Sequence, residues 1–164
     1  DLDWVFCLKP TPYLEASEDA YIQQMTKMVV NMAGMPTDWH AEVGLEAEIV
    51  PLNMPFNLLV GNVFRGIVKS NGKPVPFAEI EVEYLNYTPQ MDQNAFSKSA
   101  NARSPENFGW PTMIVANADG EFSYGIPRAG WWGFCALGVG PQTEYKGKEL
   151  SQDAVIWVQA GAME

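Results

Sequence analysis

The sequence has no apolar run that approaches the roughly 20 residues needed to cross a bilayer. It also lacks the charged and apolar opening of a secretory signal segment. We therefore expect a soluble polypeptide. The first six residues already have the composition of a strand and include no initiating Met, so we also expect a missing upstream region.

Histidine and cysteine are scarce. His40 is the single histidine, and Cys7 and Cys135 are far apart and not in a metal-binding spacing. This count excludes a structural zinc site unless other ligands join, and it leaves open whether the two thiols are free and buried or form one disulfide. A Gly-x-Ser-x-Gly elbow and a phosphate-binding glycine loop are also lacking. Because no nucleophile and base can be paired, we predict that the protein is not an enzyme.

Basic side chains are few beside acidic ones. The chain has 10 basic and 20 acidic residues and a net charge of −10. A phosphate backbone or an anionic membrane surface would be repelled, which argues against nucleic-acid binding. Cations are the partners that such a field attracts, although the charge could also serve solubility alone.

The sequence has enough apolar residues to form a hydrophobic core, since 47% of the residues are hydrophobic and six are tryptophan. Short strand-like segments recur between turn signals at Asn71-Gly72, at Asp119-Gly120 and at residues 127–130. This pattern predicts a mainly β fold, an antiparallel β-sandwich of transthyretin or immunoglobulin type with long loops. We place the sandwich domain at residues 51–164, with residues 1–50 packing on it or completing it.

The N-terminal segment combines helix and strand signals. Ser17 is followed by acidic residues and favours the start of a short helix. Residues 20–32 fit either a helix or a strand. From Asp38 to Ile49, polar and apolar residues alternate strictly, so an extended segment would carry acids around His40 on one face.

Tryptophan residues are the candidates for a binding surface. Trp131 and Trp132 are consecutive, so in a strand they point to opposite faces and at most one lies in the core. The other must be covered by the polar loop of residues 86–112, by the upstream region or by a partner. With Trp110 and Trp157, these residues are our candidates for a protein- or sugar-binding surface, and Trp110, Trp131 and Trp132 are our predicted partner-binding set. Residues 86–112 form a loop long enough to be a contact segment itself.

Two family resemblances follow from particular motifs. The wider one, to transthyretin-like and carboxypeptidase-regulatory-like sandwiches, rests on Gly66-Ile67-Val68, on residues 71–76, 78–82 and 118–124, and on Gly130-Trp131-Trp132. The narrower one rests on residues 12–15, 18–19, 26–27, 51–56, 61–66 and 129–134. By these motifs, residues 9–158 are similar to periplasmic accessory proteins of nickel and cobalt uptake transporters, a family labelled as having unknown function.

The narrower resemblance implies a periplasmic protein that helps to capture Ni²⁺ or Co²⁺ or deliver it to a membrane permease. These ions favour imidazole and carboxylate ligands, so Asp38, His40 and Glu42 are the candidate ligands, with a solvated surface as the alternative. Glu79, Glu81 and Glu83 form a similar row that a solvent-facing strand explains. We therefore expect a non-enzymatic accessory module linked to nickel or cobalt uptake. The alternatives are an interaction subunit of a larger extracytoplasmic complex and a carbohydrate-binding sandwich.

Overall fold

The structure is a computed structural model that describes residues 3–32 and 35–163. These residues form β-strands and no helix. The strands are β1 (Asp3–Leu8), β2 (Tyr13–Glu15), β3 (Ala20–Asn31), β4 (Ala47–Pro51), β5 (Leu58–Leu59), β6 (Val63–Ser70), β7 (Lys73–Pro74), β8 (Glu79–Tyr84), β9 (Pro89–Gln90), β10 (Ala95–Phe96), β11 (Thr112–Val115), β12 (Glu121–Gly125), β13 (Gly130–Ala136), β14 (Glu144–Tyr145) and β15 (Lys148–Gly161).

The strands form a large sheet and a small one, which confirms the prediction of a mainly β, sandwich-like fold. The large sheet has the order β1–β3–β15–β13–β8–β11, with β2, β5 and β14 pairing at its margins. Its long central strands β3 and β15 run parallel, whereas β15, β13, β8 and β11 are mutually antiparallel along that path. The small sheet has the order β12–β6–β4, with β7 on β6, and β9 and β10 form a separate hairpin.

The core lies between the two sheets. Alternate residues of β13 face it, Trp132, Phe134 and Ala136, and each is almost completely buried. Phe64 and Phe122 from the small sheet meet Phe134 at ring-centroid distances of 4.8 and 5.7 Å. Because side chains alternate between the two faces along each strand, one face of the large sheet packs in the core and the other face points away from it.

The predicted N-terminal helix is not present. Residues 16–19 form a turn, and Asp19 has a φ of 53°, a left-handed conformation that the interior of an α-helix does not contain. Both the backbone N–H and the hydroxyl of Ser17 donate to the Glu15 carboxylate, so Ser17 closes the turn between β2 and β3. Residues 20–31 are a strand because β1, β2 and β15 all pair with this segment.

The expectation of a continuous extended segment from Asp38 to Ile49 is also wrong. Residues 38–40 form a turn, and the strand begins only at Ala47. The carboxylate of Glu48 accepts hydrogen bonds from the backbone N–H groups of Val43 and Gly44, at 2.9 and 3.0 Å. These bonds fold the segment back on itself, and Gly44 adopts the positive φ of 81° that the fold-back requires.

Two predicted turns differ in what they connect. Asn71 and Gly72 both have positive φ and close the β6–β7 hairpin, as the Asn-Gly pair predicts. The Asp119-Gly120 turn instead passes the chain from one sheet to the other, because β11 pairs with β8 and β12 pairs with β6.

Candidate docking surface

The outer face of the large sheet carries large apolar side chains. The strand register places Phe6 beside Met28, Met28 beside Trp157, and Trp157 beside Gly133. A Cβ atom on Gly133 would lie only 2.9–3.1 Å from atoms of the Trp157 ring. The absence of a side chain at Gly133 therefore lets the Trp157 indole lie close against strand β13.

A groove of about 490 Å³ opens on this face. Its walls are apolar, and the hairpin of β9 and β10 forms one side of it. The lining residues are Met28, Leu85, Pro89, Met91, Phe96, Trp131 and Trp157. Met91 and Phe96 are 87% and 58% exposed, so this wall presents its apolar side chains to solvent instead of closing the groove.

The apolar surface continues from the groove to the edge of the sheet. Trp4 and Phe6 on β1 stack with ring centroids 6.5 Å apart, and more than half of each side chain is exposed. We call the groove residues together with Trp4 and Phe6 the apolar strip. Contiguous apolar surface of this kind is uncommon on monomeric proteins, which makes the strip the candidate site.

An acidic row borders the apolar strip. Glu79, Glu81 and Glu83 point outward from β8. Gly133 on β13 lies between Glu83 on one side and Trp157 of β15 on the other. A second cavity, of about 190 Å³, is lined by Glu81, Glu83 and Trp157 and joins the two features. Burial, with added repulsion from Asp153 and Glu83, raises the pKa of Glu81. The charge of Glu81 is therefore held in an environment that disfavours it.

Cys135 lies beside the acidic row and does not form a disulfide with Cys7, so both thiols are free. Cys7 is exposed, so it fits neither of the two alternatives, a buried free thiol or a disulfide, whereas Cys135 is half-buried. Burial, followed by the charges of Asp153 and Glu81, raises the pKa of Cys135. Since the thiolate is the nucleophilic form, this environment disfavours the reactive form of Cys135.

The three predicted partner-binding tryptophans do not share one surface. Trp131 lies in the apolar strip, against the hairpin of the 86–112 loop. Trp132 points the other way, is 1% exposed and belongs to the core, so it cannot contact a partner directly. Trp110 is half-buried and packs edge-on against Trp132 at 5.8 Å, with its indole N–H donating to the Ser104 hydroxyl at 2.9 Å.

The three predicted metal ligands lie on an irregular segment and not on one strand face. Glu42 forms an ion pair with Lys69, and the His40 ring packs against Trp39 at 4.8 Å. Asp38 accepts a backbone hydrogen bond from Ala41 through its carbonyl, which closes the turn. Within residues 3–32 and 35–163, no group of three or more His, Cys, Asp or Glu side chains is placed to hold a metal ion.

Sequence reasoning missed most of the apolar strip. Trp157 and Trp131 were among the candidates, but Met28 and the β1 aromatics come from distant segments, and Met91 and Phe96 lie in a stretch that reads as polar. The alternation Trp4, Phe6, Leu8 was an available signal, because it places three large apolar side chains on one face of a strand at the start of the chain.

The comparisons with known proteins concern the family alone. Among the residues that the structure describes, no helix has the length and hydropathy needed to span a membrane. No curated protein and no solved structure matches the chain. A family model described as a domain of unknown function, DUF4198, matches residues 1–140. Since this match covers most of the 164 residues, the chain belongs to the DUF4198 family.

Proposed function

We propose that this chain is a non-enzymatic accessory module that docks on another extracytoplasmic protein through the apolar strip. The observation that carries the proposal is the continuity of the strip, from the β1 edge across β3 and β15 to the β9–β10 hairpin. Aromatic and methionine side chains are the types enriched at protein interfaces. Arrays of aromatic side chains beside a groove also provide the few anchors that contribute most of the binding energy.

The energetic reason is the cost of leaving these side chains in water. Trp4, Phe6 and Phe96 are each 52–58% exposed. Burying about 100 Å² of apolar surface on each, at about 25 cal/mol per Å², would contribute roughly 2.5 kcal/mol per side chain. Three such anchors together supply about 7.5 kcal/mol, which lies within the entropic cost of association of about 4–15 kcal/mol, so covering the rest of the strip provides the surplus that favours binding. We therefore propose that the partner contacts the whole strip.

The cellular setting of this role is proposed from the sequence. The resemblance to accessory proteins of nickel and cobalt uptake, together with the net charge of −10, supports a periplasmic location beside a permease for these ions. In this setting the chain would act as a docking subunit. Isothermal titration of Ni²⁺ and Co²⁺ into chelator-treated protein distinguishes this role from direct metal capture. Binding tighter than the millimolar range that is lost in a His40→Ala variant would establish direct capture instead.

The docking role is tested with a pair of matched variants. Phe96→Asp places a charge on the groove wall, and Phe77→Asp makes the same change at a residue of similar exposure, 65%, outside the apolar strip. Each tagged variant is crosslinked in native cell extracts and its partners are identified by mass spectrometry. We expect a specific larger complex with the wild type and Phe77→Asp, and its loss with Phe96→Asp. A monomer without partners in the wild type, or equal capture by both variants, would refute the proposal.

A further inference from the structure

The acidic row lies beside the apolar strip without a cation of its own. None of the ion pairs among the described residues involves Glu79, Glu81 or Glu83. Those pairs are Lys9–Glu46, Lys27–Glu48, Arg65–Glu121, Lys69–Glu42 and Lys148–Asp19. The basic side chains of these pairs therefore have carboxylate partners elsewhere, and these five cations do not neutralise the row.

The outer face of the central strands also lacks basic residues. The outward positions of β3, β15, β13 and β8 alternate with the core positions, and they carry carboxylates but no Lys or Arg. The one lysine within β3, Lys27, points to the opposite face, where it is buried. An apolar partner that covered this face would leave the Glu81 and Glu83 charges desolvated and unpaired, which is costly.

The distance between the two features suits a single peptide segment. Glu83 and Trp157 are two strands apart across Gly133, and strands lie about 4.8 Å from one another, so their backbones are separated by roughly 10 Å. A segment seated in the groove by its apolar side chains would place neighbouring Lys or Arg side chains over Glu83 and Glu81. Since Glu81 is partly buried, a cation there would interact more strongly than on an open surface.

From these observations we infer that the occupant of the apolar strip is a basic, apolar peptide segment of the partner protein. Its apolar side chains fill the groove between Trp157 and the β9–β10 hairpin, and its Lys or Arg side chains pair with Glu81 and Glu83. This inference rests on the proposed docking function and adds the chemistry of the partner. It also gives a reason for an acidic row that is otherwise explained by solubility alone.

Three synthetic peptides of equal length test the inference with the purified chain. One alternates Leu and Trp with Lys, one replaces each Lys with Ser, and one replaces each Lys with Glu. Affinity is measured by fluorescence anisotropy of a dye on the peptide, excited outside the tryptophan absorption band, at low and at moderate salt. We expect the Lys peptide to bind at least tenfold more tightly than the Ser peptide, with a preference that falls as salt rises.

The decisive variant is Glu81→Gln/Glu83→Gln, which removes two charges and keeps the shape of the side chains. Glu144→Gln/Glu149→Gln is the matched control, because it removes the same two charges from a pair of neighbouring glutamates, which lie opposite each other on β14 and β15, far along the sheet from the strip. We expect the first variant to lose at least tenfold in affinity for the Lys peptide and the control to lose less than twofold. Both should bind the Ser peptide as the wild type does.

The outcomes separate this inference from the docking proposal. If Phe96→Asp abolishes capture of the native partner while Glu81→Gln/Glu83→Gln retains it fully, docking stands and a basic partner is refuted. Equal binding of the Lys and Glu peptides would refute it as well. Binding of the wild type to zwitterionic phosphatidylcholine vesicles, lost in Phe96→Asp, would also overturn it, because the strip would then take lipid.

Discussion

Replacement of Lys27 by methionine should destabilise the protein far more than loss of a surface charge. Lys27 on β3 is 1% exposed, and its ammonium donates to Glu48 at 2.7 Å and to the carbonyl of Ala41 at 2.8 Å. Methionine has a similar length but cannot donate. The Glu48 carboxylate, 3% exposed, would then remain buried with only the backbone N–H groups of Val43 and Gly44 as donors.

The expected cost follows from this geometry. Removing one partner of a buried ion pair costs about 3–5 kcal/mol. Because two backbone N–H groups still donate to Glu48, we expect Lys27→Met to cost about 3 kcal/mol, the lower end of that range. For a domain of this length each kcal/mol lowers Tm by about 2–4 °C, so we expect a decrease of about 6–12 °C. Total stabilities of about 5–15 kcal/mol allow the variant to remain folded at 25 °C.

Calorimetry and urea unfolding at pH 7 measure this difference, with Arg65→Met as the control. Arg65 and Glu121 form an exposed pair at 3.8 Å, whose loss should cost less than about 1 kcal/mol. The double variant Lys27→Met/Glu48→Gln should cost less than the sum of its single variants by at least about 1 kcal/mol. Additive losses, or a Lys27→Met variant no less stable than Arg65→Met, would show that the buried pair does not contribute as argued.

Three further predictions concern Glu81, the two cysteines and Gly133. Because burial raises the pKa of Glu81, its charged form costs stability in the fold, so Glu81→Gln should be more stable than the wild type at pH 7. This gain in stability should shrink as pH falls and vanish below the usual glutamate pKa of about 4.3. If thermal unfolding shows the same gain at pH 3, the destabilising charge is not that of Glu81. In native protein at pH 8, Ellman's reagent should modify the exposed Cys7 first and Cys135 only after denaturation, because burial raises the pKa of Cys135. Equal labelling rates in the Cys7→Ser and Cys135→Ser variants would exclude this order. Gly133→Ala should tilt the Trp157 ring, change the near-UV circular dichroism and cost about 1 kcal/mol, whereas Gly125→Ala, with open space at its Cβ position, should leave the spectrum unchanged.

Local chemistry explains the parts of the fold that the sequence predicted. The Asn71-Gly72 turn forms as expected because both residues tolerate positive φ, and consecutive Trp131 and Trp132 do face opposite ways. The prediction of a helix at Ser17 was wrong because a residue that can cap a helix can also close a tight turn. The pairing of residues 20–31 with three other strands decides for the turn. Alternation alone could not show that Glu48 folds residues 43–44 back toward it.

The sequence by itself determined the class of this protein: mainly β, sandwich-like, acidic and poor in histidine and cysteine. These properties depend on composition, on periods of two and on turn residues, which act within a few positions along the chain. The tertiary structure decided where the candidate site lies. Trp4, Met28 and Trp157 become neighbours only because β3 pairs with β1 on one side and with β15, more than a hundred residues later, on the other. Contacts between such distant segments depend on strand order and register, which no local pattern encodes.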